Sequence, residues 1–136
     1  LYQYVKELQP NCIVMNNPTS VFKGVPLFPV DAVCAERGVN LESYKKIWNW
    51  LGKEVFMPLQ IETTMSTKGN KKFPKGNWFW HEWDHSVTSA GQINDWLKSA
   101  GRLGANLLLN CGPMADGQLR PEDIASLSKI QNPNKK

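Results

Sequence analysis

The residues best suited to chemistry lie in two stretches near the middle of the chain. The first, 59–64, is a strand-like run that starts apolar and ends with Glu62 and two threonines. The second, 77–85, holds three tryptophans, two histidines and two acids among loop-forming residues. A carboxylate at a strand end, beside aromatic faces, is what acid–base chemistry on a sugar ring requires. Glu62 is therefore the first candidate catalytic residue.

The histidines and cysteines do not have the spacing of a metal site. His81 and His85 are four residues apart, but their loop-like surroundings do not fit a zinc motif carried by a helix. The cysteines, Cys12, Cys34 and Cys111, form no Cys-x-x-Cys pair and are predicted to be buried free thiols. Acid–base chemistry by a carboxylate needs no cofactor, so we predict no metal and no cofactor.

The composition is typical of one globular domain. The chain has 136 residues, 41% of them apolar, and a net charge of +4 without a long basic run. The densest basic patch, in the loop before the tryptophans, is predicted to be a solvated loop, and nucleic-acid binding would need a continuous basic face. No segment is apolar and long enough to cross a membrane. We therefore expect neither a nucleic-acid nor a membrane partner.

Helices and short apolar strands are predicted to alternate along the chain. Hydrophobic periodicity and capping residues predict helices at 1–8, 41–51, 89–103 and from Pro121 onward, with Ile124, Leu127 and Ile130 facing inward. Buried strands are predicted at 12–15, 55–64 and 106–110, and a loop at 18–39. This alternation predicts an α/β fold with a parallel sheet covered by helices.

Each predicted strand has polar residues at its C-terminal end: Asn16, Glu62 and Asn110. Active sites of parallel α/β folds lie at that edge of the sheet. About three strands are too few to close a barrel, and a (β/α)8 barrel takes roughly 250 residues. The chain is therefore expected to be either a small open sheet or a piece of a barrel.

Three segments together resemble the α-L-fucosidases of glycoside hydrolase family 29. They are 8–17 (Leu-Gln-Pro-Asn-Cys-Ile-Val-Met-Asn-Asn), 61–66 (Ile-Glu-Thr-Thr-Met-Ser) and 103–117. The last is the most specific, because Asn-Leu-Leu-Leu-Asn-Cys-Gly-Pro-Met-Ala-Asp-Gly closely follows a signature of the family. Asp116 and Gly117, within this segment, are interpreted as turn residues rather than catalytic ones.

The resemblance implies a partial (β/α)8-like barrel in which 1–136 is the C-terminal half of a glycosidase catalytic domain. Enzymes of this family are retaining exo-glycosidases, which use two carboxyl groups about 5–5.5 Å apart. The family's nucleophilic Asp belongs upstream of Leu1, so the chain alone is expected to be an inactive fragment. A start at Leu1 rather than Met also suggests a fragment or a processed chain. The implied substrate is a fucosylated glycan, and the implied location is secreted, periplasmic or lysosomal.

The resemblance also assigns roles to individual residues. Glu62 matches the acid/base position of part of the family, although a structural ion pair is the alternative. Trp78 and Trp80 match an aromatic pair that lines the sugar site, where Phe79 replaces the family's glycine. His81 is a candidate donor to a sugar hydroxyl, or else a structural histidine, and Asn16 is a further substrate-binding candidate. Because the acid/base position varies among family members, other acids remain candidates: Asp31, Glu36, Glu54 and Glu82.

Three alternatives to an α-L-fucosidase remain open from the sequence. The first is a barrel glycosidase that acts on another sugar. The second is a carbohydrate-binding or inactive barrel protein that has kept the aromatic loop. The third is a small α/β domain with no role in sugar chemistry. The sequence leaves the linkage, the aglycone and the oligomeric state undetermined.

Overall fold

The structure is a computed structural model that describes residues 1–17, 29–36, 46–68 and 76–131. Its elements in chain order are α1 (Tyr2–Leu8), β1 (Met15–Asn16), β2 (Ala32–Glu36), β3 (Ile47–Trp50), β4 (Lys53–Phe56), β5 (Leu59–Thr64), α2 (Ala90–Leu103), β6 (Asn106–Asn110) and α3 (Pro121–Leu127). A parallel sheet has the strand order β1-β2-β5-β6, and β3 and β4 form a separate antiparallel pair. The predicted α/β class is confirmed, with four sheet strands rather than about three.

Strand β2 corrects the prediction of a loop through 18–39. Four consecutive residues of β2, Ala32 to Ala35, are buried, which is typical of a parallel strand covered on both faces. Met15 and Asn16 of β1 pair in parallel with Ala32 and Val33. The strand was missed because alanine and cysteine carry little strand preference and turn residues flank the segment. The remainder of the predicted loop, 18–28 and 37–39, lies outside the described residues.

The helix predicted at 41–51 is wrong for its described part, which forms a β-hairpin. Leu51 and Gly52 both have positive φ, 52° and 77°, as a two-residue hairpin turn requires. The turn is also held by Asn49, whose side-chain oxygen accepts a hydrogen bond from the Gly52 amide at 3.1 Å. Residues 41–45 lie outside the described part of the chain. The predicted strand at 55–64 is likewise divided, by Met57 and Pro58, between β4 and β5.

The contacts divide the chain into two compact units: Leu1–Ile61 with Leu103–Asn106, and Glu62–Arg102 with Leu107–Lys136. The core of the first unit is a cluster of Val33, Ala35, Met57 and Leu59, with Trp48 and Ile61 packed against it. Helix α1 buries none of its residues, and Ile13 and Met15 are exposed. The prediction that 12–15 is buried on both faces is therefore wrong.

An ion pair anchors α1 to the start of β2 in the first unit. The Asp31 carboxylate accepts hydrogen bonds from the Lys6 ammonium at 2.8 Å, the Val14 amide at 2.7 Å and the Tyr2 hydroxyl at 2.7 Å. These donors, Lys6 first, hold the pKa of Asp31 at about 2. These contacts favour a structural role for Asp31 over the acid/base role for which it was a weaker candidate.

The helices of the second unit begin as the sequence predicts, and α2 buries Ile93 and Ala100 of its predicted apolar stripe, but α3 buries different residues. The Ser89 hydroxyl accepts a hydrogen bond from the Gln92 amide at 3.2 Å, as expected of a helix cap, and Gly104 follows α2 with a φ of 63°. Helix α3 buries Asp123 and Ser126, whereas Ile124, which was predicted to face inward, is exposed. The polar face of α3 is therefore its packing face.

Two general features of the described chain complete the fold. Within its described residues, no helix combines the length and apolar character needed to span a membrane. All three cysteines are free, as predicted, but only Cys34 is fully buried, and Cys12 and Cys111 are partly exposed.

Candidate functional site

Residues 76–88, called here the tryptophan loop, lie over the C-terminal ends of β5 and β6. The Thr64 hydroxyl, at the end of β5, donates to the Asn77 carbonyl at 2.7 Å. The side-chain amide of Asn110, at the end of β6, donates to the Trp78 carbonyl at 2.5 Å. The loop therefore sits at the sheet edge where parallel α/β folds carry their sites.

Two glycines let the backbone of the loop approach the strand ends closely. A Cβ on Gly76 would lie 2.1 Å from the Ser66 carbonyl oxygen, and the φ of Gly76 is 98°. A Cβ on Gly112, in the segment after β6, would lie 2.5 Å from the Trp80 amide nitrogen and 2.9 Å from the carbonyl carbon of Phe79. Both contacts are with backbone, which cannot swing aside. The placement of Trp80 thus depends on the absence of a side chain at Gly112.

We expect Gly112→Ala to lower the free energy of unfolding by about 1–3 kcal/mol, because the loop must move to admit the methyl group. Gly101→Ala is the matched control. Gly101 lies inside α2 with no atom within 4 Å of its would-be Cβ, so the added methyl should stabilise the protein by roughly 0.5–1 kcal/mol. Urea denaturation of the two variants measures both effects. Equal stabilities would show that the close approach at Gly112 does not constrain the loop.

The Asp84 carboxylate is the internal anchor of the loop. Only 4% of Asp84 is exposed. One carboxylate oxygen accepts hydrogen bonds from the Ser66 hydroxyl at 2.6 Å and from the side-chain amide of Asn77 at 2.8 Å. The other accepts from the Ser86 hydroxyl at 2.6 Å and the Ser86 backbone amide at 3.0 Å. Burial alone would raise the pKa of Asp84, but these hydrogen bonds outweigh it and hold the pKa at about 2.

A buried arginine ties the same loop to α3. Arg120 is 9% exposed and Asp123 is 1% exposed. The guanidinium forms two hydrogen bonds with the Asp123 carboxylate, at 2.8 and 2.7 Å. Its remaining donors reach the Asp84 carbonyl at 2.6 Å and the Ser86 carbonyl at 3.1 Å. The fork of Arg120 thus joins the helix start to the loop backbone at the anchor residue Asp84 and at Ser86, two residues later.

The low pKa of Asp84 predicts a specific loss of stability in acid. The pKa of Asp84 in the folded protein, about 2, lies below its ordinary value of 3.8. Ionised Asp84 therefore stabilises the folded state at pH values above 3.8. This stabilisation is lost as the pH falls through about 2, because protons then bind the folded carboxyl as well. We expect the stability difference between wild type and Asp84→Asn, measured by urea denaturation, to shrink between pH ~4 and ~2. Asp31 is present in both proteins, so its titration affects both stabilities equally and cancels in their difference. Parallel pH profiles would contradict the prediction.

An open depression lies between the tryptophan loop and the strand ends. Its empty volume is about 240 Å³ with open solvent included, so the enclosed space is small. Phe79, Trp80 and His81 line it from the loop, and Thr64 and Gly112 line it from the strand ends. An aromatic wall beside an imidazole can bind an apolar ring face and donate to a hydroxyl.

The predicted binding residues fall in different places. Trp80 and His81 both line the depression. Trp78 is half-buried and is not among its lining residues, and its carbonyl instead accepts the hydrogen bond from Asn110. Asn16 ends β1 in the first unit, where its side-chain oxygen is buried without a hydrogen-bond partner among the described residues. The binding roles of all four remain predictions.

The predicted acid, Glu62, lies within β5 rather than in the lining of the depression. Side chains alternate along a strand, so Glu62 faces the same side as Thr64, about 6.6 Å away along the chain. That is the side from which Thr64 reaches the tryptophan loop. Glu62 is partly exposed and engaged with neighbouring groups. Its catalytic role remains a prediction, and Glu82, exposed on the loop beside His81, remains the alternative closest in sequence to the lining.

The residues that hold the loop were not found from the sequence. No periodic pattern marks the residues that bond to one another in this anchor, Asp84, Ser66 and Asn77, because they are separated in the sequence and lie among other polar residues. Arg120 and Asp123 have the three-residue spacing of a helical ion pair, which was the available signal. Because the carboxylates of Asp84 and Asp123 are engaged in these hydrogen bonds, they hold the loop in place.

Within the described residues, no group of three or more histidine, cysteine, aspartate or glutamate side chains could hold a metal ion. One of the two histidines of the tryptophan loop makes an aromatic contact. The His81 ring stacks on Trp83 with centroids 5.2 Å apart and the ring planes at 17°.

No protein-family model matches the chain. No curated protein sequence matches it either. Solved structures do match, among them structures of two α-L-fucosidases.

The fucosidase AlfC of Lactobacillus casei, in complex with its α-L-fucose product, superposes on 93% of this chain with a TM-score of 0.60 and 19% identity. Isoenzyme 1 of Paenibacillus thiaminolyticus superposes on 93% with a TM-score of 0.65 and 21% identity. The chain spans only 31% and 27% of those two structures. At such identities the similarity shows the fold, which is part of the fold of α-L-fucosidases. The fold resemblance inferred from the sequence is therefore confirmed.

Proposed function

We propose that this chain is the later part of the catalytic barrel of an enzyme that hydrolyses α-L-fucosides. The observation that carries the proposal is the wall of Trp80 and His81, on a loop that hydrogen bonds hold over the C-terminal ends of two parallel strands. Fucose has a methyl group and an apolar ring face that such a wall fits. The solved structures that share the fold support the same substrate class, since one contains α-L-fucose and another a fucosyl disaccharide.

The proposed reaction is hydrolysis with retention of anomeric configuration. A carboxylate attacks the anomeric carbon while a carboxylic acid protonates the departing oxygen, and the glycosidic C–O bond breaks. Water, deprotonated by the same acid/base residue, then displaces the carboxylate and releases fucose. We assign the acid/base role to Glu62 and place the nucleophile in sequence outside 1–136. Binding roles go to Trp80, His81 and Trp78, with Asn16 as a further contact.

The proposed substrate is a fucosylated glycan. The proposed location of this protein is secreted, periplasmic or lysosomal. The alternative function is carbohydrate binding without hydrolysis, by a barrel that has kept its aromatic loop. One observation favours it: both buried carboxylates of the loop, Asp84 and Asp123, are occupied by structural hydrogen bonds. A barrel glycosidase for a different sugar is the second alternative.

A panel of nitrophenyl glycosides tests the proposal. The whole gene is expressed, and the purified full-length protein is assayed on nitrophenyl α-L-fucoside, β-D-galactoside, α-L-rhamnoside and β-D-glucoside. We expect kcat/KM to be at least roughly 100-fold higher for the fucoside, a difference of about 2.8 kcal/mol in transition-state binding. The isolated chain is expected to release no nitrophenol. Preference for another glycoside would reassign the sugar, and inactivity with measurable fucose binding would favour the binding protein.

A further inference from the structure

The aromatic surface of the tryptophan loop extends beyond the depression. His81 lines the depression, and its ring stacks on Trp83, which is not among the lining residues. Trp83 is 56% exposed, so much of its indole is open to solvent. The wall of the site thus continues outward into a second, exposed aromatic surface.

The stacked pair is held in place by the loop anchor. The Asp84 amide donates to the His81 carbonyl at 2.9 Å, which closes a tight turn with Glu82 and Trp83 at its centre. Asp84 itself is buried and hydrogen-bonded through both carboxylate oxygens. Trp83 therefore projects from a turn whose next residue is fixed. Exposed apolar rings on a preorganised loop are typical of a binding surface, since little flexibility is lost when a ligand binds.

We propose that the His81–Trp83 stack is a subsite for the sugar ring that carries the fucosyl unit. The inference rests on the proposed function and extends it from the fucosyl ring to the aglycone. A pyranose has an apolar face that can lie on the indole, and its hydroxyls can meet polar groups of the same segment. Those groups are the His81 imidazole, the Trp83 indole N–H and the exposed side chains of Glu82 and His85, which adjoin the pair in sequence.

The size of the surface favours a sugar over a protein partner. A stable protein interface uses about 20–30 residues on each side. The stack and its polar neighbours comprise one short turn, which matches a single monosaccharide.

The test compares two leaving groups of different size on the full-length protein. One substrate is the linkage isomer of fucosyl-N-acetylglucosamine that the wild type cleaves fastest. The other is α-L-fucosyl fluoride, whose single-atom leaving group cannot reach Trp83. We expect Trp83→Ala to lower kcat/KM about tenfold for the disaccharide and less than about twofold for the fluoride. Trp83→Phe, which keeps an aromatic face, should retain most of the disaccharide activity.

Phe56→Ala is the matched control, because Phe56 is 58% exposed and lies in the β-hairpin of the first unit. It should leave both substrates unaffected. Equal losses on the two substrates with Trp83→Ala, or no loss on either, would overturn the subsite while leaving the hydrolase proposal intact. A wild-type protein that cleaves neither substrate would overturn the hydrolase proposal, and the subsite with it.

Discussion

Replacing Asp123 by alanine is expected to lower the free energy of unfolding by about 3–5 kcal/mol, the largest stability effect we predict. The variant leaves the Arg120 guanidinium, which is 9% exposed, without the carboxylate that neutralises it. Without Asp123 to orient it, Arg120 should also hold the Asp84 and Ser86 carbonyls less firmly, which weakens the link between α3 and the tryptophan loop. We expect a fall in melting temperature of more than about 10 °C.

Two further variants separate the buried charge from the surrounding packing. Arg120→Met combined with Asp123→Leu removes both charges and should recover much of the lost stability, because no unpaired ion remains buried. Asp95→Ala is the matched control. Asp95 pairs with Lys98 at 3.9 Å with the same three-residue spacing, but both side chains are exposed, so the expected change is below about 0.5 kcal/mol. Similar losses for Asp123→Ala and Asp95→Ala would contradict the role of burial.

Replacing Glu62 by glutamine is expected to lower kcat/KM of the full-length protein on fucosyl disaccharides by about 10²–10⁴-fold. The amide has nearly the shape of the acid but cannot donate the proton that the departing sugar oxygen needs. A nitrophenolate leaves without much protonation, so the loss on nitrophenyl α-L-fucoside should be much smaller. The dependence on the leaving group separates a proton donor from a residue that only supports the fold.

Glu82→Gln is the comparison for this assignment, since Glu82 lies on the tryptophan loop next to His81. We expect it to change the disaccharide rate by less than about threefold. If Glu82→Gln shows the steep leaving-group dependence and Glu62→Gln does not, Glu82 is the acid/base residue. If Glu62→Gln slows both substrates equally, Glu62 is structural.

The parts of the fold that the sequence predicted are those with strong local signals. Helix α2 has a serine cap, helical hydrophobic spacing and a terminal glycine, and β6 is a run of leucines between asparagines. The hairpin at 47–56 was missed because tryptophan and isoleucine spacing there also fits a helix, and the turn at Leu51 and Gly52 decided the outcome. Strand β2 was missed because its burial comes from neighbouring strands rather than from its own composition.

The candidate site was predictable where residue type and strand position agree. Trp80 and His81 were identified from composition and resemblance, and they line the depression. The groups that hold them were invisible because they act across the chain: Asp84 meets Ser66 from a distance of 18 residues, and Arg120 meets Asp84 from 36. Such contacts depend on the tertiary fold, and local patterns carry no trace of them.

Covalent trapping is the most direct test of the proposal that this chain completes a retaining α-L-fucosidase whose nucleophile lies elsewhere in the protein. The reagent is a fucosyl fluoride in which fluorine also replaces the hydroxyl beside the anomeric carbon, so that a covalent fucosyl-enzyme forms but hydrolyses slowly. Intact mass and peptide mapping then locate the label. We predict one fluorofucosyl group per full-length protein, on an aspartate outside 1–136. No label, or a label on a carboxylate within 1–136, would contradict the proposal.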